Sequence, residues 1–115
     1  MLIQLNTDHH IKRSDELTAH VEAEVNGAVG RFGDHITRVE VHLHDLNGHK
    51  GGIDKRCLME ARISGHQPVA VSHEAGSVDE AISGAAEKLE RSLDHTLGKL
   101  EHRKGNTSMG GDQEI

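Results

Sequence analysis

The sequence predicts an α+β fold: a two-layer sandwich in which two helices cover one face of a four-stranded sheet, in the order β-α-β-β-β-α. Three observations predict it. Residues 36–45 (ITRVEVHLHD) and 55–64 (KRCLMEARIS) alternate apolar and polar side chains, the period of a half-buried strand. Residues 14–32 and 77–102 instead carry apolar side chains at helical spacing. Each of these helices has a single apolar stripe, so both are expected on the same side of the sheet, with the other side open to water.

The first element is a short strand, Met1 to Asn6 (MLIQLN), with Ile3 and Leu5 facing one way. A polar loop follows, and Ser14 opens a helix whose stripe is Leu17, Val21, Val25, Ala28, Val29 and Phe32. Gly27 and Gly30 lie inside it and weaken it, each by about 1 kcal/mol against alanine. Gly33 and Asp34 close it. In the second strand Val39, Val41 and Leu43 point to the core, and Arg38, Glu40, His42 and His44 point away. Leu46 to Asp54 (LNGHKGGID) reads as a hairpin loop. The third strand turns Cys57, Met59, Ala61 and Ile63 inward. Gly65 and His66 make a tight turn into a last strand, Pro68 to His73, with Val69 and Val71 inward. Strict alternation argues for antiparallel pairing throughout.

Ser77 and Glu80 have the spacing of a capping box that opens the last helix. On a helical wheel this helix divides into three sectors. Val78, Ile82, Ala85, Leu89, Leu93 and Leu100 form an apolar seam. Asp79, Glu80, Glu87, Glu90, Asp94 and Glu101 form an acidic sector. Lys88, Arg91, His95, Lys99 and His102 form a cationic row at spacings of three and four. An ordinary exposed helix mixes its signs to gain i,i+4 pairs. A row of like cations beside an apolar seam instead asks for an anion opposite, and a run of phosphates supplies one. The bland alternative is a solvated face.

Composition bounds the rest. At 115 residues the chain has room for one domain with a modest core. Residues 1–102 are expected to form it, and 103–115 (RKGNTSMGGDQEI), polar and glycine-rich, to be a disordered tail. No signal peptide and no membrane span is expected, which places the chain in the cytoplasm. The one cysteine, Cys57, has no internal partner and reads as a small core residue. The formal net charge is −6 with histidines neutral, which works against nonspecific attraction to nucleic acid. The 11 histidines offset this in mild acid. With Phe32 as the one aromatic, the chain lacks the stacking platforms of single-strand RNA readers, so any RNA contact goes to backbone and shape.

The order and spacing of several segments resemble the ribosome hibernation-promoting factor family, also called the ribosome-associated inhibitor or light-repressed protein family. They are RFGDH leading into ITRVEVHL, a Gly-rich hairpin before KRCLMEARI, QPVAVSHEAGSVDEAI, and AAEKLERSLDHTLGKL. The resemblance spans roughly residues 1–102. It implies a non-enzymatic protein that binds ribosomal RNA of the small ribosomal subunit in the decoding region and silences translation under stress or in stationary phase. It also implies RNA contacts from basic residues on the helices. Lys88, Arg91 and Lys99 match basic positions of the family's last helix, and His95 stands where the family often has lysine. Arg31, His102 and Arg103 complete the expected RNA-binding set. The first helix departs from the family's lysine-bearing pattern: it reads EVNGAVGRFG near its end, with Arg31 as its basic residue. Without the second, dimer-forming domain of long-form members, the chain resembles a short form, expected to be monomeric off the ribosome.

Other chemistries are weighed against this. His42 and His44 form an H-x-H pair with Glu40 and Glu60 within reach, but no established metal-binding spacing is present, and no metal or other cofactor is expected. No nucleophile stands beside a base and no phosphate-cradling glycine loop occurs, so neither catalysis nor a small-molecule substrate is expected. The alternative to ribosome binding is a protein-interaction domain on the same fold with weakened RNA affinity, motivated by the net charge and the acidic first helix.

Overall fold

The computed structural model describes residues 1–46 and 54–109, with side chains of the last helix described as far as Gly98. The elements are β1 (Leu2–Thr7), α1 (Asp15–Val29), a 3-10 turn (Gly30–Phe32), β2 (Ile36–Asp45), β3 (Lys55–Ile63), β4 (Val69–Ala75) and α2 (Val78–Met109). The expected order is present. The domain boundary expected at 102 falls within α2, and 110–115 of the expected tail lie outside the described residues. The hairpin expected at 46–54 joins β2 to β3, with 47–53 outside the described residues.

The sheet runs β1-β2-β3-β4 in space. Antiparallel pairing holds for β2–β3 and β3–β4, where Val41 faces Met59 and Met59 faces Val71. It does not hold for β1, which pairs parallel to β2 with Leu5 opposite Val41. The reason is α1. It carries the chain back along the sheet, so the next strand starts from the same end as β1 and runs the same way. Side-chain alternation reports which face a residue takes and not the direction of its neighbour.

The strand faces are as the alternation predicts. Leu5, Val39, Val41, Leu43, Cys57, Met59 and Ala61 are buried under the helices, and Arg38, His42, Arg56 and Arg62 lie on the open face. Over the inner face, α1 contributes Val21, Val25 and Val29, and α2 contributes Ile82, Leu89, Leu93 and Leu97. Ala81, Ala85 and Ala86 are buried too, which lets α2 lie close to the layer beneath. Ile11, from the loop expected to be polar, plugs the end of this core. Cys57 is fully buried, and burial pushes its thiol up to about 12, so it stays protonated and inert.

Local signals set the ends of the elements. Ser14 caps α1, its hydroxyl accepting from Leu17 N at 3.0 Å. The α-helix stops at Val29, and Gly30 opens the tighter turn that brings Phe32 into the core. At α2, Ser77 Oγ accepts from Glu80 N at 3.2 Å and donates to Glu80 Oε1 at 3.2 Å. Gly65, at φ 73°, makes the β3–β4 turn in a region that side chains with a Cβ avoid.

Asp8 ties the loop after β1 to the end of β2. Its Oδ2 accepts from Asp45 N at 2.8 Å and its Oδ1 from His10 N at 3.0 Å. Desolvation pushes this carboxyl up. The two backbone hydrogen bonds and the charges of His10 and His44 together outweigh it, and hold the pKa below the ordinary aspartate value. A depressed native pKa favours the folded state above the unfolded value, and that contribution disappears as pH falls through the native one. Asp8→Asn is therefore expected to lower the urea midpoint more at about pH 7 than at about pH 3, where protonation begins to remove the same contribution from the parent. An equal loss at both values would assign the effect of Asp8 to hydrogen-bond geometry alone.

Candidate nucleic-acid interface

The site follows from how α2 is seated. Its apolar seam faces the sheet and α1, so the period of the helix sends the acidic sector toward α1 and the cationic row toward β4. Lys88, Arg91 and His95 are all exposed. Lys88 Nζ donates to the Ser72 carbonyl of β4 at 3.0 Å, which holds the lysine along the sheet edge while leaving donors free. Arg91 and His95 have no carboxylate partner among the described residues. Lys99, His102 and Arg103 continue on the same helix, but their side chains lie outside the described residues.

Arg31 is placed elsewhere. It stands on the α1 side of α2, where Nη1 is 3.4 Å from Asp94 Oδ1 and Nη2 is 3.6 Å from Glu90 Oε2. Its guanidinium also lies over the Phe32 ring, 4.2 Å from the centroid. Lys88 and Glu90 project about 160° apart on an ideal helix, so Arg31 and Lys88 occupy opposite flanks. The acidic sector expected beside the cationic row has Arg31 as its counter-ion. Around it the outer surface of α1 is acidic, with Asp15, Glu16 and Glu22 exposed.

The open sheet face carries cations too, but they are spent internally. Arg38 faces Arg62 across β2–β3, and Glu40 faces Glu60, which would be repulsive as direct pairs. Contacts along β2 and one diagonal contact to β3 resolve it. Glu40 Oε2 is 2.9 Å from Arg38 Nη2 and 3.5 Å from Arg62 Nε, and its Oε1 is 3.5 Å from His42 Nε2. Arg56 donates through Nε and Nη2 to Glu74 Oε2 at 3.3 and 3.0 Å. The His42–His44 pair does not converge on further ligands: His44 Nδ1 is 3.9 Å from Asp8 Oδ2, and no group of three metal-ligating side chains gathers among the described residues. No described helix is long and apolar enough to cross a membrane.

A row of unpaired cations on α2, over this β-α-β-β-β-α sheet, can be set against known proteins. Residues 6–101 match the family described as Sigma 54 modulation protein / S30EA ribosomal protein. The chain belongs to the S30EA family. This is the hibernation-factor family that its sequence resembles, and S30EA proteins are ribosome-associated factors. The N-terminal domain of Thermus thermophilus Protein Y superposes with a TM-score of 0.68 at 23% identity, covering 84% of this chain and 99% of that one. A ribosomal subunit interface protein from Coxiella burnetii superposes with the same TM-score of 0.68 at 17% identity, covering 85% and 99%. At these identities the two structures bear on the fold, which they share with this S30EA chain. No curated protein sequence matches it significantly.

Two features of the surface were hidden from the sequence. The partners of Arg31 depend on how α1 crosses α2. The role of Glu40 depends on strand register, which sets which arginines it meets. Glu40 is expected to matter more than an isolated surface pair because it serves Arg38, Arg62 and His42 at once. Glu40→Gln should cost about 1–2 kcal/mol in urea denaturation at low salt. The deficit should shrink in about 1 M salt, where repulsion among the freed cations is screened. A deficit independent of salt would mean that packing of the side chain, and not its charge, holds this face.

Proposed function

We propose that this S30EA chain binds the small ribosomal subunit through the backbone of its ribosomal RNA, in the decoding region, and acts there as a hibernation factor that silences translation under stress. The observation that carries this is the outward row of Lys88, Arg91 and His95 on α2. These cations have no carboxylate partner among the described residues, whereas Arg31, Arg38, Arg56 and Arg62 all have one. An unneutralised row held rigidly on a helix is complementary to spaced phosphates. Lys99, His102 and Arg103 extend the row in sequence. Arg31 is not included, because Glu90 and Asp94 already neutralise it. On this reading residues 1–102 are the ribosome-binding unit, the protein works in the cytoplasm as a monomer off the ribosome, and it needs no catalysis or cofactor.

A second reading has its own observation. The exposed acids of α1, Asp15, Glu16 and Glu22, together with the net charge of −6, suit a protein partner better than RNA. Salt separates the two. Binding of small subunits should fall steeply as salt rises, since each phosphate contact releases counter-ions. The triple exchange of Lys88, Arg91 and Lys99 to glutamine should weaken binding and flatten the salt dependence by somewhat under about one unit of slope per lost contact. Stability should change by no more than about 0.5 kcal/mol per site. A folded triple variant with unchanged affinity and slope in a sedimentation assay would remove the row from the interface and leave the protein-interaction reading.

A further inference from the structure

One histidine joins this row from outside α2. His73 of β4 lies opposite Cys57 in the β3–β4 register, so it faces the helices, where the pattern of Val69 and Val71 would lead to another apolar residue. It is half-buried. Its imidazole occupies the place where a Cβ on Gly84 would sit, so the ring lies directly against the backbone of α2. The neighbouring residue, Ser72, gives its carbonyl to Lys88 Nζ at 3.0 Å. Gly84 and Lys88 are one helical turn apart on the same side. The His73 ring therefore stands at the head of the row that continues through Lys88, Arg91 and His95.

Resting on the ribosome-binding reading, we propose that the RNA backbone lies along the seam between α2 and the β4 edge, with His73 as a further phosphate contact, and that α1 stays off the RNA. From Gly84 to His95 the row spans about 16 Å of helix, room for several successive phosphates. The electrostatics favour this seam over a path across both helices. Asp94 is exposed on the α1 flank of α2, and Asp15, Glu16 and Glu22 are exposed on α1, all repelling a polyanion, while Glu87 borders the row about 40° from Arg91. On the β4 side, Glu74 points to the other face of the sheet and is held by Arg56.

The same geometry makes binding proton-linked. His73 is flanked on β4 by the uncharged Val71 and Ala75; from β3 it meets Cys57, whose buried thiol is neutral, with Lys55 diagonally beyond it on the same face, its ammonium held by Asp54 at 2.9 Å and Asp45 at 3.7 Å. From α2 it meets Gly84, with Lys88 one turn after and Glu80 one turn before; Glu80 is engaged by Ser77 Oγ at 3.2 Å. α1 packs against the other flank of α2 and sends no charged group to this ring among the described contacts. A phosphate seated against the His73 ring favours its charged form, so binding takes up a proton and strengthens toward acid.

The test measures affinity of the full chain for purified small subunits at about pH 7.5 and pH 6, bracketing the ordinary histidine pKa. His73→Ala is expected to weaken binding about fivefold at the lower pH, the worth of roughly one hydrogen bond, and to change it little at the higher. Gly84→Ala, which displaces the ring, should act in the same direction. His73→Lys should tighten binding at the higher pH, a gain that a folding defect cannot imitate. Glu22→Lys on α1 makes the larger change in charge and should gain less. The inference is overturned if His73→Lys gives no tightening, or if Glu22→Lys tightens binding more than His73→Lys. The ribosome-binding reading fails separately, if Lys88→Gln with Arg91→Gln leaves affinity unchanged. Loss in that double variant with no effect at His73 overturns only the path along β4.

Discussion

Ile82, Leu89, Leu93 and Leu97 of α2 belong to one core with the inward side chains of β3 and β4, Cys57, Met59 and Val71 among them, and the rest of the molecule is oriented by that contact. Each fully buried leucine removed would cost about 2–5 kcal/mol, several times the worth of any exposed ion pair in the chain. The rotation of α2 about its axis is therefore set by the seam and not by its charges. Once the seam is down, a period of 3.6 residues leaves no choice about where the other sectors go. The acids must flank α1 and the cations must flank β4. The placement of the cationic row is a by-product of core packing.

With Phe32 as the one aromatic, the core relies on many small side chains instead of a few large ones. Ala81, Ala85 and Ala86 bring α2 low over the sheet, and Gly84 beside them admits an imidazole where any Cβ would collide. Close approach of this kind has two effects. It lets Lys88 reach a strand carbonyl, and it makes the α2–β4 junction sensitive to single methyl groups.

Much of this could be read from residue order, and the failures have physical causes. The faces of β2 and β3 follow from alternation, because a strand with one buried side has no other register. The three sectors of α2 follow from periodicity, and the capping box follows from Ser77 and Glu80. Residues that act through one element were legible. Those that act between elements were not. The parallel direction of β1 comes from the path of α1, and alternation is blind to it. The ion pairs of Arg31 with Glu90 and Asp94 come from the helix crossing, which its own segment does not reveal. His73 reads as an ordinary strand residue because its close approach is to a glycine on another element. A signal was available for His73: it continues the inward set of Val69 and Val71, and a histidine at an inward position near a sheet edge invites the question of what it faces.

Both edges of the sheet end in a carbonyl occupied by a cation. On β4, Lys88 Nζ bonds the Ser72 oxygen at 3.0 Å; on β1, Arg13 Nη1 bonds the Leu5 oxygen at 2.8 Å. An edge strand with open acceptors is a template on which another chain can add a strand, and sheets with two such edges can grow in both directions. Here a long charged side chain covers each template, adding bulk and solvation where a flat backbone would be dangerous. The guard on β4 is also a member of the exposed cationic row of α2. On the proposed function, a lysine at position 88 would be held by two pressures at once, contact with a polyanion and resistance to self-association. A lineage that lost the first need would still have reason to keep a cation there.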